Sequence, residues 1–204
     1  MSQKVSQKAE QKQRSHEAIL ASAATLLRER GIRASSVLDV MKGAGLTVGG
    51  FYGHFDSKEQ LFTETIRATG RTLWNRLLTR ATESGSTRPP ALLVLERYLS
   101  REHRDHPQTG CPLPSIAPEV AREGEPYQGA LEGELAGFMH AFAALVGPGE
   151  KARRKALGVF ALMYGALSLS RAVKGSRLSD EFLEAARALG TTALSDETRP
   201  PPRG

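Results

Sequence analysis

Cysteine is almost missing from this chain of 204 residues: Cys111 is the only one. No disulfide can close within the chain, and the composition points to a reducing compartment, the cytoplasm. No apolar run approaches the roughly 18 residues a membrane span requires. The N-terminus is polar and basic and lacks the apolar centre of a secretory leader. Neither a membrane partner nor export is therefore expected. No alternation of apolar and polar residues supports a strand, and no segment repeats. His16, His54, His103, His106 and His140 are scattered without metal-ligand spacing, so neither a metal nor a cofactor is expected. A cysteine-dependent enzyme would need Cys111 with His103 or His106 as base, but no third residue is placed to orient that pair. Enzymatic chemistry is not expected.

What is present is ordinary in amount and uneven in distribution. Hydrophobic residues make up 40% and charged residues 25%, proportions that suit a globular protein with a sizeable core. The formal net charge is +6. Residues 1–80 hold 13 Lys and Arg against 7 Asp and Glu, whereas residues 81–204 hold 15 of each. The whole positive excess sits in the first part, which points to a polyanion partner there and nowhere else.

That first part contains the most informative stretch, residues 35–62. Ser36 followed by Asp39 is a helix start signal. Gly43 and Gly45 can stop that helix by taking positive φ angles. Thr47 can cap a second short helix carrying Val48, Phe51, Tyr52 and Phe55. Short helix, glycine turn and second short helix make the sequence form of a helix-turn-helix. Ser57 and Gln60 then form a capping box for a long helix running to about Ser84.

The remaining pattern is helical as well. Residues 1–13, dominated by Gln and Lys, are expected to be a flexible basic arm. Ile19, Leu20, Ala23, Leu26 and Leu27 give a first helix an apolar face, ended by Gly31. The prolines and glycine between His106 and Pro118 interrupt the helices. The helix after Gly147-Pro148-Gly149 is apolar on two faces. The last helix carries Phe182, Leu183, Ala186, Leu189 and Ala193, with Ser179 as its cap. Two terminal helices with spare apolar faces predict a homodimer built through them. Residues 198–204, with three prolines, are expected to be a disordered tail.

Residues 14–62 resemble the DNA-binding domain of the TetR family of transcriptional regulators. The match rests on Gly31, on the run Gly45-Leu46-Thr47-Val48-Gly49-Gly50-Phe51-Tyr52-Gly53-His54-Phe55, and on Ser57-Lys58-Glu59-Gln60-Leu61. Gly-Cys-Pro-Leu at 110–113 looks like a segment of one subset of these regulators. The glycines at 49, 50 and 53 depart from a good helix former, at roughly 1 kcal/mol each relative to alanine.

The resemblance implies an all-α fold. An N-terminal three-helix helix-turn-helix domain (14–60) is linked by a long helix to a C-terminal helical domain for ligand binding and dimerisation (61–197). It implies a cytoplasmic repressor that binds a double-stranded, pseudo-palindromic DNA operator as a homodimer and is released by a small-molecule effector. By position, Ser36, Tyr52, His54 and Lys58 would meet phosphates. Thr47, Val48 and Gly49 would face bases, with Gly50 close to the duplex and Lys42 a further candidate.

For a mostly apolar effector the candidate lining is Tyr98, Leu99, His103, Cys111, Ile116, Phe138, Phe142, Phe160 and Tyr164, aromatic and apolar residues around the proline-rich segment. Two other regulatory readings remain open. Cys111 could sense oxidants, or the basic region could bind nucleic acid without sequence preference.

Overall fold

The computed structural model describes residues 2–195, with side chains from residue 7 onward. All regular structure among them is helical. The expected tail at 198–204 lies outside the described residues. The contacts divide the chain into two units, residues 1–71 with 111–134, and residues 72–110 with 135–204.

The first unit starts with α1, Ser2–Arg30. Residues 2–13 of the stretch expected to be a flexible arm therefore continue the helix instead. The reason is local. Gln, Lys, Ala and Glu are good helix formers, nothing before Gly31 breaks the helix, and extending a packed helix needs no new nucleus. Gly31 ends α1 with φ +80°.

The short helix α2, Val37–Gly43, has Ser36 as its cap: its Oγ accepts the amide hydrogen of Asp39 at 3.0 Å and donates to Asp39 Oδ2 at 2.9 Å. Gly45 takes the positive φ that turns the chain, but Gly43 does not. Gly43 is the last residue of α2, where a Cβ would come within 2.3 Å of Ser22 Oγ on α1. The second short helix forms as a single stretch of 3₁₀ helix, Val48–Gly53. Glycines at 49, 50 and 53 weaken any longer α-helical alternative.

The long helix α3, Lys58–Thr82, begins at the expected box. Gln60 N donates to Ser57 Oγ at 3.0 Å, and Gln60 Oε1 accepts from the amide of Asp56 at 2.7 Å. Ile19, Ala23 and Leu27 of α1, Val40 and Met41 of α2, Phe51, Phe55, and Leu61, Phe62 and Ile66 of α3 share one core. This core holds the 3₁₀ stretch by Phe51 and Phe55, each buried, with Phe51 and Phe55 rings 5.8 Å apart.

Residues 111–134 join this unit, so the boundary expected at 60/61 does not describe where the contacts fall. Despite its prolines the segment forms α6, Leu113–Glu123, in which Pro114 occupies the first turn, where a missing N–H leaves nothing unpaired. Ile116 and Val120 enter the core. Ser115 Oγ donates to the carbonyl of Arg28 at 2.6 Å, and Arg33 pairs with Glu123 at 2.9 Å.

The second unit holds the end of α3, α4 (Pro90–Tyr98), α5 (Arg101–Asp105), most of α7 (Tyr127–Val146), α8 (Gly149–Ala172) and α9 (Arg177–Ser195). Its centre is aromatic. Trp74 stacks on Phe138 with ring centroids 4.3 Å apart, and Phe138 meets Phe142 at 5.6 Å and Phe160 at 5.2 Å. Arg104 ties α5 to α9: its guanidinium donates to Asp180 Oδ1 at 2.6 Å and to Ser179 Oγ at 3.0 Å. Ser179 is thus inside α9 and donates to the carbonyl of Ser170 at 2.7 Å, instead of capping the helix.

Candidate nucleic-acid interface and effector cavity

The short elements of the first unit bury one side and leave the other open. Of the 3₁₀ stretch, Phe51 is buried while Val48 and Tyr52 are exposed, Tyr52 to 76%. Thr47 stands at the cap position but makes no capping hydrogen bond, so its hydroxyl is not used by the helix it precedes. Gly49 and Gly53 have open space where a Cβ would stand, and none of the three glycines has a positive φ. Folding therefore gives no reason for glycine at these positions. A surface that must be approached closely by another molecule does.

Ser36 and Lys42 are exposed on α2. Leu38 is also exposed, to 59%, and sequence reasoning passed over it because its spacing suits a core face. Lys58, half-buried in the first turn of α3, has Nζ 3.5 Å from the carbonyl of Arg33 and 5.6 Å from the centroid of the Phe62 ring. An ammonium in the first turn opposes the helix dipole. The carbonyl offsets this in part and leaves other N–H bonds for an anion.

His54 ends the 3₁₀ stretch next to a second imidazole. His16 stacks on Phe55 at 4.7 Å, lies 5.9 Å from the His54 ring, and has Nε2 3.5 Å from Glu64 Oε2. Burial lowers the pKa of His54, and the neighbouring His16 and Lys12 lower it further. Near neutral pH the ring is the uncharged form, able to donate one hydrogen bond but not to act as a cation. Its Nδ1 is buried and has no hydrogen-bond partner among the described residues.

In the second unit a half-open cavity of about 690 Å³ lies between the end of α3, the end of α4 and the 103–110 segment. Of the residues expected to line an effector site, Tyr98 and His103 line it. Leu99, Phe138, Phe142 and Phe160 are buried in the core of that unit, and Tyr164 is half-buried on α8. Cys111 and Ile116 belong to the first unit, both buried. Of these nine residues, Tyr98 and His103 are the two that line this cavity.

The cavity lining is more polar than expected: Arg76, Arg80, Arg97, Glu83, Glu96 and Glu102 line it beside Leu73 and Leu77. The spacing of Arg76 and Arg80, one helical turn apart, was the available sequence signal. His103 Nδ1 lies 2.7 Å from the carbonyl of Tyr98. Burial pushes its pKa down to about 4 in spite of that bond, with Arg171 and Arg76 adding to the effect.

The described residues thus form a capped helix-turn-helix in one helical unit and a second helical unit beside it in sequence. Comparison with known proteins makes this specific. Residues 19–65 match the model of the bacterial regulatory proteins of the tetR family. The likeness to that family is to its DNA-binding domain. Over 45 residues it is 51% identical to the HTH-type transcriptional repressor KstR2 of Rhodococcus jostii, and over 49 residues 45% identical to KstR2 of Mycobacterium tuberculosis. These alignments cover 22% and 24% of this chain and the same shares of the relatives, so the chain matches about a quarter of their length or less.

The fold extends further than the sequence likeness. The reduced form of NemR from E. coli superposes with a TM-score of 0.73 at 21% identity, over 89% of this chain and 96% of the other. A TetR family regulator from Cytophaga hutchinsonii gives 0.73 at 21% identity, over 89% and 95%.

Proposed function

We propose that this protein is a transcriptional repressor that binds a pseudo-palindromic DNA operator as a homodimer and leaves it when a small molecule occupies the second unit. The observation that carries the reading is the exposed face of residues 47–53, where Thr47, Val48, Tyr52 and three sterically unneeded glycines lie together. On this reading Thr47, Val48 and Gly49 meet base edges. Ser36, Tyr52, His54 and Lys58 hold phosphates and set the register. The apolar Val48 suits a thymine methyl group, because no forked side chain is available for guanine or adenine. Lys8 and Lys12, one turn apart and exposed on α1, add attraction for the phosphate backbone without specifying sequence.

Pairing of two copies is supported by Leu157 and Leu169 of α8 and Leu178 and Leu189 of α9, which are all exposed. Four exposed leucines on two adjacent helices suit a four-helix contact about a two-fold axis. Such a dimer would space two recognition segments for successive major grooves. Cys111 is buried, which gives an oxidant poor access and lends the redox reading less support. A cytoplasmic location goes with the DNA partner.

The test is a gel-shift with the DNA flanking the protein's own gene against a scrambled competitor. Specific binding survives the scramble. Equal competition, with uniform loss as salt rises, favours the non-specific basic binder instead.

A further inference from the structure

We propose that DNA binding by this protein takes up a proton at His54, and that His16 on α1 opposes that proton until a phosphate arrives. The proposal rests on the reading of the first unit as a DNA-binding domain and adds a regulation of its surface.

Side chains from three elements meet here. His54 closes the 3₁₀ stretch, and His16 lies across from it with ring centroids 5.9 Å apart. His16 is fixed in place: it stacks on Phe55 at 4.7 Å, and its Nε2 stands 3.5 Å from Glu64 Oε2 on α3. Glu64 is held in turn, since its Oε1 accepts from Gln60 Nε2 at 2.9 Å. Lys12, one turn before His16 on α1, brings an ammonium close enough to act on His54.

The carboxylates of the neighbouring elements do not offset these groups at His54. Glu64 pairs with His16, and Glu17 of α1 accepts from Gln13. Asp39 of α2 pairs with Arg30, while Asp56 and Glu59 are exposed. Of the other cations, Lys42 is exposed and Lys58 reaches the carbonyl of Arg33. Burial of the ring, then His16, then Lys12 lower the pKa of His54. Its Nδ1 is buried without a partner among the described residues, so a hydrogen placed there would stand without an acceptor. The neutral ring therefore keeps its hydrogen on Nε2, the nitrogen left for a ligand.

A duplex reverses the balance. A phosphate oxygen that accepts from Nε2, with the rest of the phosphate array behind it, favours the imidazolium. The second proton comes from solvent and settles on Nδ1. An ordinary exposed histidine would already be partly charged in the free protein and would take up less. His16 and Lys12 keep His54 unloaded, so the proton arrives with the DNA. The complex then holds more protons than its separate parts between the free and the bound pKa of His54. Affinity rises as pH falls through the bound value and levels off below the free one.

The experiment uses the full chain and two duplexes, the DNA flanking its own gene and a scramble of equal length. Fluorescence anisotropy reads Kd at constant salt from about pH 8 to about pH 5, the range in which imidazole changes charge. Ring-nitrogen NMR follows His54 with and without DNA and needs no variant. The expected result is a Kd that tightens on the order of tenfold across this range. His54 should titrate at higher pH in the complex than in the free protein. His54→Gln should flatten the profile, whereas His140→Gln, exposed in the second unit, should not. In His16→Gln the free His54 ring should titrate at higher pH and proton uptake should shrink. Lys12→Gln, at an exposed position, should act in the same direction and carries this part if His16→Gln does not fold.

A pH profile that His54→Gln leaves unchanged, or a His54 ring that titrates alike with and without DNA, overturns the proposal. A free His54 ring unmoved by both His16→Gln and Lys12→Gln overturns the part given to His16. Failure of the repressor reading looks different: the scramble then binds as well as the flanking DNA, while the pH profile, which belongs to phosphate, persists. Binding of neither duplex overturns both.

Discussion

The carboxylate of Glu119 on α6 accepts the amide hydrogen of Ile32, and the same carboxylate would touch a Cβ placed on Gly31. Two residues 87 positions apart thereby close the end of α1 against a helix that sequence order assigns to a different region. The left-handed φ of Gly31 is what lets the chain turn so close to that carboxylate.

Gly31→Ala should therefore be harmful for two reasons at once. A left-handed residue other than glycine is disfavoured by about 1–2 kcal/mol, and the added methyl meets Glu119. We expect Tm to fall by roughly 5–10 °C, read by circular dichroism. Pairing Gly31→Ala with Glu119→Ala should remove the contact part of the loss and leave the backbone part. Equal losses in the single and double variants would show that Glu119 does not constrain the turn.

Gly49→Ala and Gly53→Ala separate folding from binding. Both positions are open and have no positive φ, so alanine should leave stability unchanged or raise it by up to about 1 kcal/mol, read as a Tm no lower than that of the wild type. Operator affinity should drop at least severalfold in a gel-shift. Unchanged affinity in both variants would remove close backbone approach as the reason for these glycines.

Leu189 is 63% exposed on α9. Leu189→Lys should leave the protomer's helical signal intact and shift sedimentation toward the monomer, because an ammonium in a two-fold contact meets its own copy. Operator binding should weaken with it. A variant that sediments as the wild type does would place the pairing surface elsewhere.

His103 predicts a dependence of stability on pH. Its pKa falls from 6.5 unfolded to about 4 folded, so the unfolded chain binds more protons between those values. Stability is fully present above pH 6.5 and is lost as pH falls toward 4. The ring is half-buried, and allowing for its partial exposure the effect is about 2 kcal/mol. His103→Gln should flatten the slope of Tm against pH across this window relative to wild type. Asp105 acts in a lower range. Its hydrogen bonds from Arg104 and Lys174 hold its pKa to about 2, so its contribution is lost between the ordinary 3.8 and that value.

The local elements were legible in the sequence because each is settled by neighbours. Ser36 with Asp39, Ser57 with Gln60, and Gly31 and Gly45 set starts and stops within a turn of themselves. The all-α class follows from apolar spacing, and the TetR family likeness from one string of residues at 45–61. The expected arm at 1–13 is helical over residues 2–13, because composition describes an isolated peptide, whereas these residues extend a helix already fixed by its packing.

Tertiary structure alone decided which long-range neighbours meet. α6 belongs with the helix-turn-helix because Ile116 and Val120 fill its core and Glu119 reaches Ile32, contacts that no periodicity within residues 113–123 encodes. The aromatic residues that suit a pocket by type, Phe138, Phe142 and Phe160, instead pack against Trp74 and one another. The cavity is left to Arg97 and its neighbours. Sequence specifies which face of each helix is apolar, but several apolar faces compete for the same burial. Which of them wins, and which polar group is left buried without a partner, depends on packing the whole unit.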